Sequence, residues 1–424
     1  MGKGAYMVQK LKKIMKWDVF RCLWALVKWL GLGVLVGALV GSIGALFGRT
    51  LIWVNGVRKA YPFVAYGLPL GGLLIVALYR GMRNTNDKGT NTVIAALQDG
   101  TQIPFKMAPL IFISTTITQL FGGSAGREGA ALQLGGSIAN KTAQLLRFKD
   151  SSRKMLIMCG MSAGFSALFG TPLAASVFSL EIACVGYLQL SGLVPCVVSA
   201  YTGFFMAKLL GMPPEVFPVE AIPGVTPVLL LRIVLLAVLV GLVGMLFCKL
   251  LHGAEHLYSR YLKNPYLRIA LAGVLLILLT GAVGTRDYLG SGMEIIEEIF
   301  HHGEGHWYSF LLKMLFTAVT LGAGFKGGEI VPSFTIGAAL GFAISGLLGL
   351  PTELAAACGM AGLFCSVTNC PVTALLISFE LFGFAGMPCY LVAVAVCFLV
   401  SGYESLYHKQ KVIWSKTDLL KKDN

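Results

Sequence analysis

The sequence predicts an all-α integral membrane protein built from two related halves. Three observations carry that prediction. Of 424 residues, 56% are hydrophobic and 13% charged, with a mean hydropathy of +0.75, the composition of a polytopic helical membrane protein and not of a soluble domain. Charges inside the apolar stretches are rare and isolated: Arg127 and Glu128 stand alone between Lys106 and Lys141, and Glu329 stands alone between Lys326 and Glu353. The chain is also internally duplicated. Cys159-Gly160-Met161 recurs as Cys358-Gly359-Met360, and the same shift carries Phe165 onto Phe364, Pro172 onto Pro371, Ala175 onto Ala374, Ser179 onto Ser378 and Glu181 onto Glu380. Those eight identities in 23 ungapped positions exceed what shared apolar composition produces, and repeats of this length belong to transporters, because solenoid periods are far shorter.

Taken from the N-terminus, residues 1–21 form a basic cytoplasmic segment, 22–211 a first inverted repeat, 212–408 a second, and 409–424 a basic cytoplasmic tail. Lys3, Lys10, Lys12, Lys13, Lys16 and Arg21 precede the first apolar run, and Lys409, Lys411, Lys416, Lys421 and Lys422 follow the last. Loops rich in Lys and Arg stay inside, so both termini are expected on the cytoplasmic side of the cell membrane, with an even number of crossings between them. The net charge of +14 is largely this terminal bias and not a nucleic-acid footprint. The run from Cys22 is too long for the apolar region of a cleavable signal peptide.

A crossing needs about 20 apolar residues, which 22–54, 225–250 and 266–285 supply. Gly33, Gly37 and Gly41 repeat every four residues, a small-residue face that lets helices approach where lipid gives no hydrophobic drive. The segments starting at Met107, Gly129, Leu173, Val331 and Val372 are shorter and broken by Gly or Pro. Broken helices are tolerated in a membrane only where their backbone is buried or lines a cavity. Their N-terminal ends are candidate anion sites, since free N–H groups and the helix dipole favour negative charge and neighbouring glycines permit close approach.

An ionisable pair at membrane depth is a functional-site hypothesis by default. The glycine-flanked acids Glu128 and Glu329 therefore suggest an ion path between the halves. The ten cysteines have no paired spacing and read as small buried hydrophobes. His301, His302 and His306, with Glu297, Glu298 and Glu304, fit no familiar ligand template, and neither metal nor cofactor is expected.

With these residues laid out, the chain resembles the CLC family of anion channels and anion/proton antiporters from about residue 25 to 410. The motifs are Gly126-Arg127-Glu128-Gly129 leading into Ala130-Ala131-Leu132-Gln133-Leu134-Gly135-Gly136, and Gly322-Ala323-Gly324-Phe325-Lys326-Gly327-Gly328 leading into Pro332-Ser333. The duplicated Pro172–Glu181 and Pro371–Glu380 segments and Leu406-Tyr407 add to them. The resemblance implies a homodimer with one pore per subunit, each built from two inverted repeats of tilted and broken helices. It makes Glu128 the gating glutamate, whose carboxylate occupies an anion site when ionised and swings away when protonated, coupling anion to proton. Anion-binding candidates are then Gly126, Arg127, Gly129, Gly327, Gly328, Ile330 and Val331, with the Tyr407 hydroxyl reaching the anion from the intracellular side. A buried Arg127–Glu128 ion pair is the plain alternative, disfavoured because adjacent residues on a helix point apart. No nucleotide-binding module is expected after residue 408.

Three departures from the chloride-type pattern set the subtype. Glu329 stands where chloride-type members carry an apolar residue, and Phe325-Lys326-Gly327-Gly328-Glu329 resembles the fluoride-type branch. Lys326 is a candidate ion-pair partner for it, since a second carboxylate at an anion site needs pairing or a proton. The loop that usually supplies a serine reads Asp87-Lys88-Gly89-Thr90-Asn91-Thr92, which leaves Lys88, Thr90 and Asn91 as candidates. Ile182 replaces the inner proton-accepting glutamate that follows the position of Glu181 in chloride antiporters, and Glu329 could take over that role. Val331 stands where some fluoride-type members have threonine. Glu181 and Glu380 read as hydrogen-bonded structural carboxylates.

The resulting expectation is a fluoride/proton antiporter that exports fluoride across the cell membrane, with a chloride or unselective halide antiporter or channel of the same family as the alternative. A cation transporter using Glu128, Glu181, Glu329 and Glu380 is weaker, because Gly-rich helix starts favour anions. An intramembrane enzyme lacks any Gly-x-Ser-x-Gly elbow or His-Glu-x-x-His.

Overall fold

The structure, a computed structural model, describes residues 3–85, 87–413 and 416; Lys421 and Lys422 of the basic tail lie outside them. Sixteen α-helices are found among the described residues, and six helical spans, two of them opening with a 3-10 turn, are long and apolar enough to cross a membrane. The first, α1 (Lys3–Ala60), is 58 residues long. No proline falls within it, so the basic segment ahead of residue 22 continues directly into the first span. At about 1.5 Å per residue this helix far exceeds a ~30 Å hydrocarbon core.

The helices α2 (Leu68–Gly81), α3 (Thr90–Asp99), α4 (Met107–Leu120), α5 (Glu128–Leu145), α6 (Asp150–Phe169), α7 (Pro172–Glu181) and α8 (Leu193–Leu209) complete the first half. The second half holds α9 (Pro227–Tyr261), α10 (Pro265–Val283), α11 (Met293–His302), α12 (Ser309–Gly322), α13 (Ile330–Leu348), α14 (Thr352–Thr368), α15 (Pro371–Phe382) and α16 (Met387–Val400). The predicted short segments begin within a residue of α4, α5, α7, α13 and α15. The spans at Pro62–Gly81, Leu190–Leu209 and Ile330–Leu348 add to the three read from sequence. The helix over 225–250 runs on to Tyr261, stopping only before Asn264-Pro265, because proline disfavours helix in the residue before it.

Several ends follow from local chemistry. Proline opens α7, α9, α10 and α15, where its missing N–H is no loss. Thr226 Oγ1 caps α9 by accepting from Leu229 N at 3.1 Å, and Asn264 Oδ1 caps α10 by accepting from Tyr266 N at 3.0 Å. Gly170 closes α6 at φ +74°, and Asn369, its counterpart at the 199-residue shift, closes α14 at φ +57°. Only Gly and, less readily, Asn adopt that conformation at low cost.

Small residues set the helix spacing. Gly33, Gly37 and Gly41 lie against Pro195, Ser199 and Gly203 of α8, so that face packs helix on helix as expected. In the first half Gly135 and Gly160 bring α5 and α6 into backbone contact, and in the second Gly337 and Gly359 do the same for α13 and α14. A methyl group at any of the four would overlap the facing backbone. The outer surface is apolar: Leu267, Leu271, Val274, Leu275 and Leu278 of α10 are all exposed, as a lipid-facing helix requires.

The duplicated acids close the two halves on each other. Glu181, at the end of α7, accepts from Val372 N at 3.0 Å and Thr373 N at 2.8 Å at the start of α15. Glu380, near the end of α15, accepts from Leu173 N and Ala174 N at 2.8 Å each at the start of α7. This corrects one expectation: the N-termini of α7 and α15 are filled by the protein's own carboxylates. The ten cysteines are free, eight of them buried; Cys22 is exposed and Cys184 half-buried. Cys184–Val185 pairs in parallel with Lys411–Val412 in a short two-stranded ladder. His301, His302 and His306 are exposed at the end of α11 and the loop after it.

Candidate functional site

Of the three other broken helices, α5 and α13 meet at their N-termini. Gly126 and Gly328, just ahead of them, form an isolated antiparallel bridge, with Gly126 N donating to Gly328 O at 2.6 Å and Gly328 N donating to Gly126 O at 2.8 Å. The glycines are required by what they face. A methyl at Gly328 would stand 2.7 Å from Gly129 N, 3.0 Å from Glu128 N and 3.3 Å from Arg127 N. It would block the amides that a helix N-terminus offers to negative charge.

Glu128 is completely buried. Its Oε2 accepts from Arg127 N at 3.0 Å and its Oε1 from Arg127 Nε at 3.3 Å. The ion pair disfavoured from sequence therefore exists. Arg127 precedes the helix, with φ −121°, so helical geometry does not separate the two side chains. The same guanidinium also pairs through Nη2 with Glu215 and donates to Leu168 O at 3.4 Å.

Glu329 sits on the other side of the bridge at the start of α13. A methyl at Gly129 would lie 3.2 Å from Glu329 Oε2 and 3.5 Å from Thr90 Oγ1, so Glu329, Gly129 and Thr90 converge. Gln133, one turn into α5, donates to Thr90 Oγ1 at 3.3 Å. Unlike Glu128, Glu329 is only half-buried. It lines a cavity of about 920 Å³ with Tyr79, Lys88, Thr90, Gln133 and His408. Ile330 and Val331 are fully buried behind it.

Lys326 is not its partner. Its ammonium lies over the Tyr79 ring, 4.6 Å from the centroid, a cation–π contact. The spacing of three that joins residues on a helix does not apply, because 326–328 are extended into the bridge. Asn91 also lines the cavity but its side chain accepts from Lys409 N at 3.1 Å, leaving Thr90, the first residue of α3, as the candidate that converges with Glu329. Tyr407 is buried, and its hydroxyl has no hydrogen-bond partner among the described residues.

Three site residues were missed from sequence: Gln133, Glu215 and Lys313. Lys313 of α12 is fully buried and donates to Ser124 Oγ at 3.0 Å, Gly290 O at 2.9 Å and Tyr288 O at 3.2 Å. Gly290 O also accepts from Ala125 N at 3.1 Å. Lys313 thus anchors the loop that delivers Gly126–Glu128. Gln133 had a signal, four residues after Gly129 and so on the same helix face; Lys313 had one as well, the lone charge between Glu304 and Lys326 in an apolar run, whereas Glu215 had none.

Two carboxylates at facing helix N-termini, joined through glycine backbone inside a broken-helix membrane fold, define an ion-transport protein. The profile of the voltage gated chloride channel family matches residues 71–402, and the chain belongs to that family. It is 34% identical over 398 residues to a chloride/fluoride channel protein of Pseudomonas syringae pv. tomato, covering 92% of this chain and 88% of that one. Among solved structures, it matches a CLC-type fluoride/proton antiporter at 32% identity and a TM-score of 0.88, covering 92% of this chain and 99% of that one. A slow cyanobacterial chloride/proton antiporter matches at 19% identity and a TM-score of 0.76, over 88% and 94% of the two chains, a likeness of fold. The architecture is the CLC membrane fold, an all-α multi-pass protein of two inverted repeats.

Proposed function

We propose that this protein is a fluoride/proton antiporter that exports fluoride using the inward proton gradient, with Glu128 as its gate and Glu329 as its second proton-handling group. The observation that carries the reading is the pairing of unequal carboxylates across the Gly126–Gly328 bridge. Glu128 is sealed in and held by amide and guanidinium donors, while Glu329 opens to the cavity. A carboxylate already seated on helix N–H groups is an internal competitor for an incoming anion, and giving it a proton removes the competition. Glu329 supplies the acid that Ile182 does not. Fluoride holds its water strongly, and the donors that replace it are the amides beside Gly126–Gly129 and Gly327–Val331, the Thr90 hydroxyl and the unpartnered Tyr407 hydroxyl. Lys326 and Asn91 stand outside this set. The repeats occupy 22–211 and 212–408, both termini lie in the cytoplasm, and the protein works as a homodimer with a pore in each subunit.

The second reading, an unselective or chloride-preferring transporter or channel, is favoured by the relative described as a chloride/fluoride channel protein. Purified protein in liposomes separates the two when fluoride efflux, chloride efflux and proton uptake are recorded for wild type, Glu128→Gln and Glu329→Gln. Fluoride-driven proton uptake lost in both variants supports the antiporter. Chloride moving as fast as fluoride, with Glu329→Gln unchanged, overturns it.

A further inference from the structure

The segment between α8 and α9 carries no helix from residue 212 to 226. It is nonetheless pinned at defined points. Glu215 N donates to Phe169 O at 3.4 Å, Phe217 N to Leu381 O at 2.8 Å and Val219 N to Phe382 O at 3.3 Å. This connection between the halves thus crosses the ends of α6 and α15 and sets the Glu215 carboxylate on Arg127. Both side chains are mostly buried, 14% and 13% exposed. Glu215 Oε2 is buried with no hydrogen-bond partner among the described residues. Burying a carboxylate oxygen without a donor is unfavourable, so stability alone does not account for a glutamate here.

The consequence lies in what Arg127 does next. One guanidinium serves two carboxylates, Glu128 Oε1 at 3.3 Å and Glu215. We infer that Glu215 is a positioning residue for the gate: it shares Arg127 with Glu128, and so loosens the hold of Arg127 on the gate carboxylate. The inference rests on the gate role proposed for Glu128. Without Glu215 the guanidinium has one anionic partner left, and its full charge keeps Glu128 seated. Charged hydrogen bonds between partly buried groups are strong enough for this redistribution to change a rate.

The test is a double-mutant cycle in liposomes on wild type, Glu215→Gln, Glu128→Gln and the double variant, with fluoride and chloride efflux both recorded. Glu215→Gln is expected to lower the turnover of the moving halide about tenfold, with KM changed less than about twofold. Glu215→Asp, which keeps the charge, is expected to recover most of that loss. In the Glu128→Gln background, where there is no gate charge to hold, Glu215→Gln is expected to change the residual flux by less than about twofold. An equal drop in both backgrounds, or no drop in either, overturns the inference. Movement of chloride alone overturns the fluoride reading while the same cycle still decides the role of Glu215. A Glu128→Gln protein indistinguishable from wild type overturns gate and inference together.

Discussion

Glu181 and Glu380 each lie towards the end of one helix and close the start of the other, whereas Glu128 and Glu329 lie at the starts of helices of their own. The first pair is reciprocal: each carboxylate accepts two backbone N–H bonds from the opposite half, between 2.8 and 3.0 Å. The second pair is unequal. Glu128 is sealed and tied to Arg127, while Glu329 faces the cavity with no ion-pair partner among the described residues. Four isolated acids in one membrane protein thus divide by symmetry and saturation. Where the duplication is kept and both carboxylate oxygens are met by backbone N–H groups, the acid holds the halves together. Where it is broken, the acids are left for the transport roles proposed above.

Replacing Glu128 by Gln breaks the comparison most severely, because it makes the proposed gate permanently neutral. Proton uptake coupled to halide efflux is expected to fall about 100-fold, while passive halide flux persists. Gly328→Ala asks whether the open amides matter. The new methyl would press on three N–H groups at the head of α5, and halide flux is expected to fall about tenfold with no change in the charge of the site. Glu380→Ala probes the other pair. It strands the amides of Leu173 and Ala174, so thermal unfolding in detergent should show a loss of about 2 kcal/mol, with flux per folded molecule close to wild type. A transport defect in Glu380→Ala larger than its stability defect would erase the division between the pairs. Lys326→Met is the mildest change. It removes one cation–π contact with Tyr79, worth about 0.5–1 kcal/mol, and coupled proton uptake should stay near wild type; a large loss would restore Lys326 as a partner of Glu329.

How far the sequence reached follows the same division. Isolation inside apolar runs made Glu128 and Glu329 visible, and the 199-residue shift made Glu181 and Glu380 visible as mates, since both signals are properties of the chain alone. The broken helices were placed to within a residue because Pro and Gly punctuate them. What failed was pairing. A rule for helices disfavours Arg127 with Glu128, but the arginine precedes its helix and does not obey it; the need of Glu329 for a charge partner points to Lys326 nearby in sequence, but the ammonium lies over Tyr79 instead. Glu215 was out of reach for a different reason. It lies 88 residues from Arg127 in an irregular segment, where nothing local records which distant group it meets.

The Gly126–Gly328 bridge also sets a timetable. Its two residues are 202 positions apart, and a ribosome adding roughly 5–20 residues per second needs on the order of 10–40 s to travel between them. Throughout that interval the first half is threaded into the bilayer with the head of α5 lacking its facing backbone. The nascent chain therefore carries, for many seconds, an unfinished opening whose only closure is a part of itself not yet made.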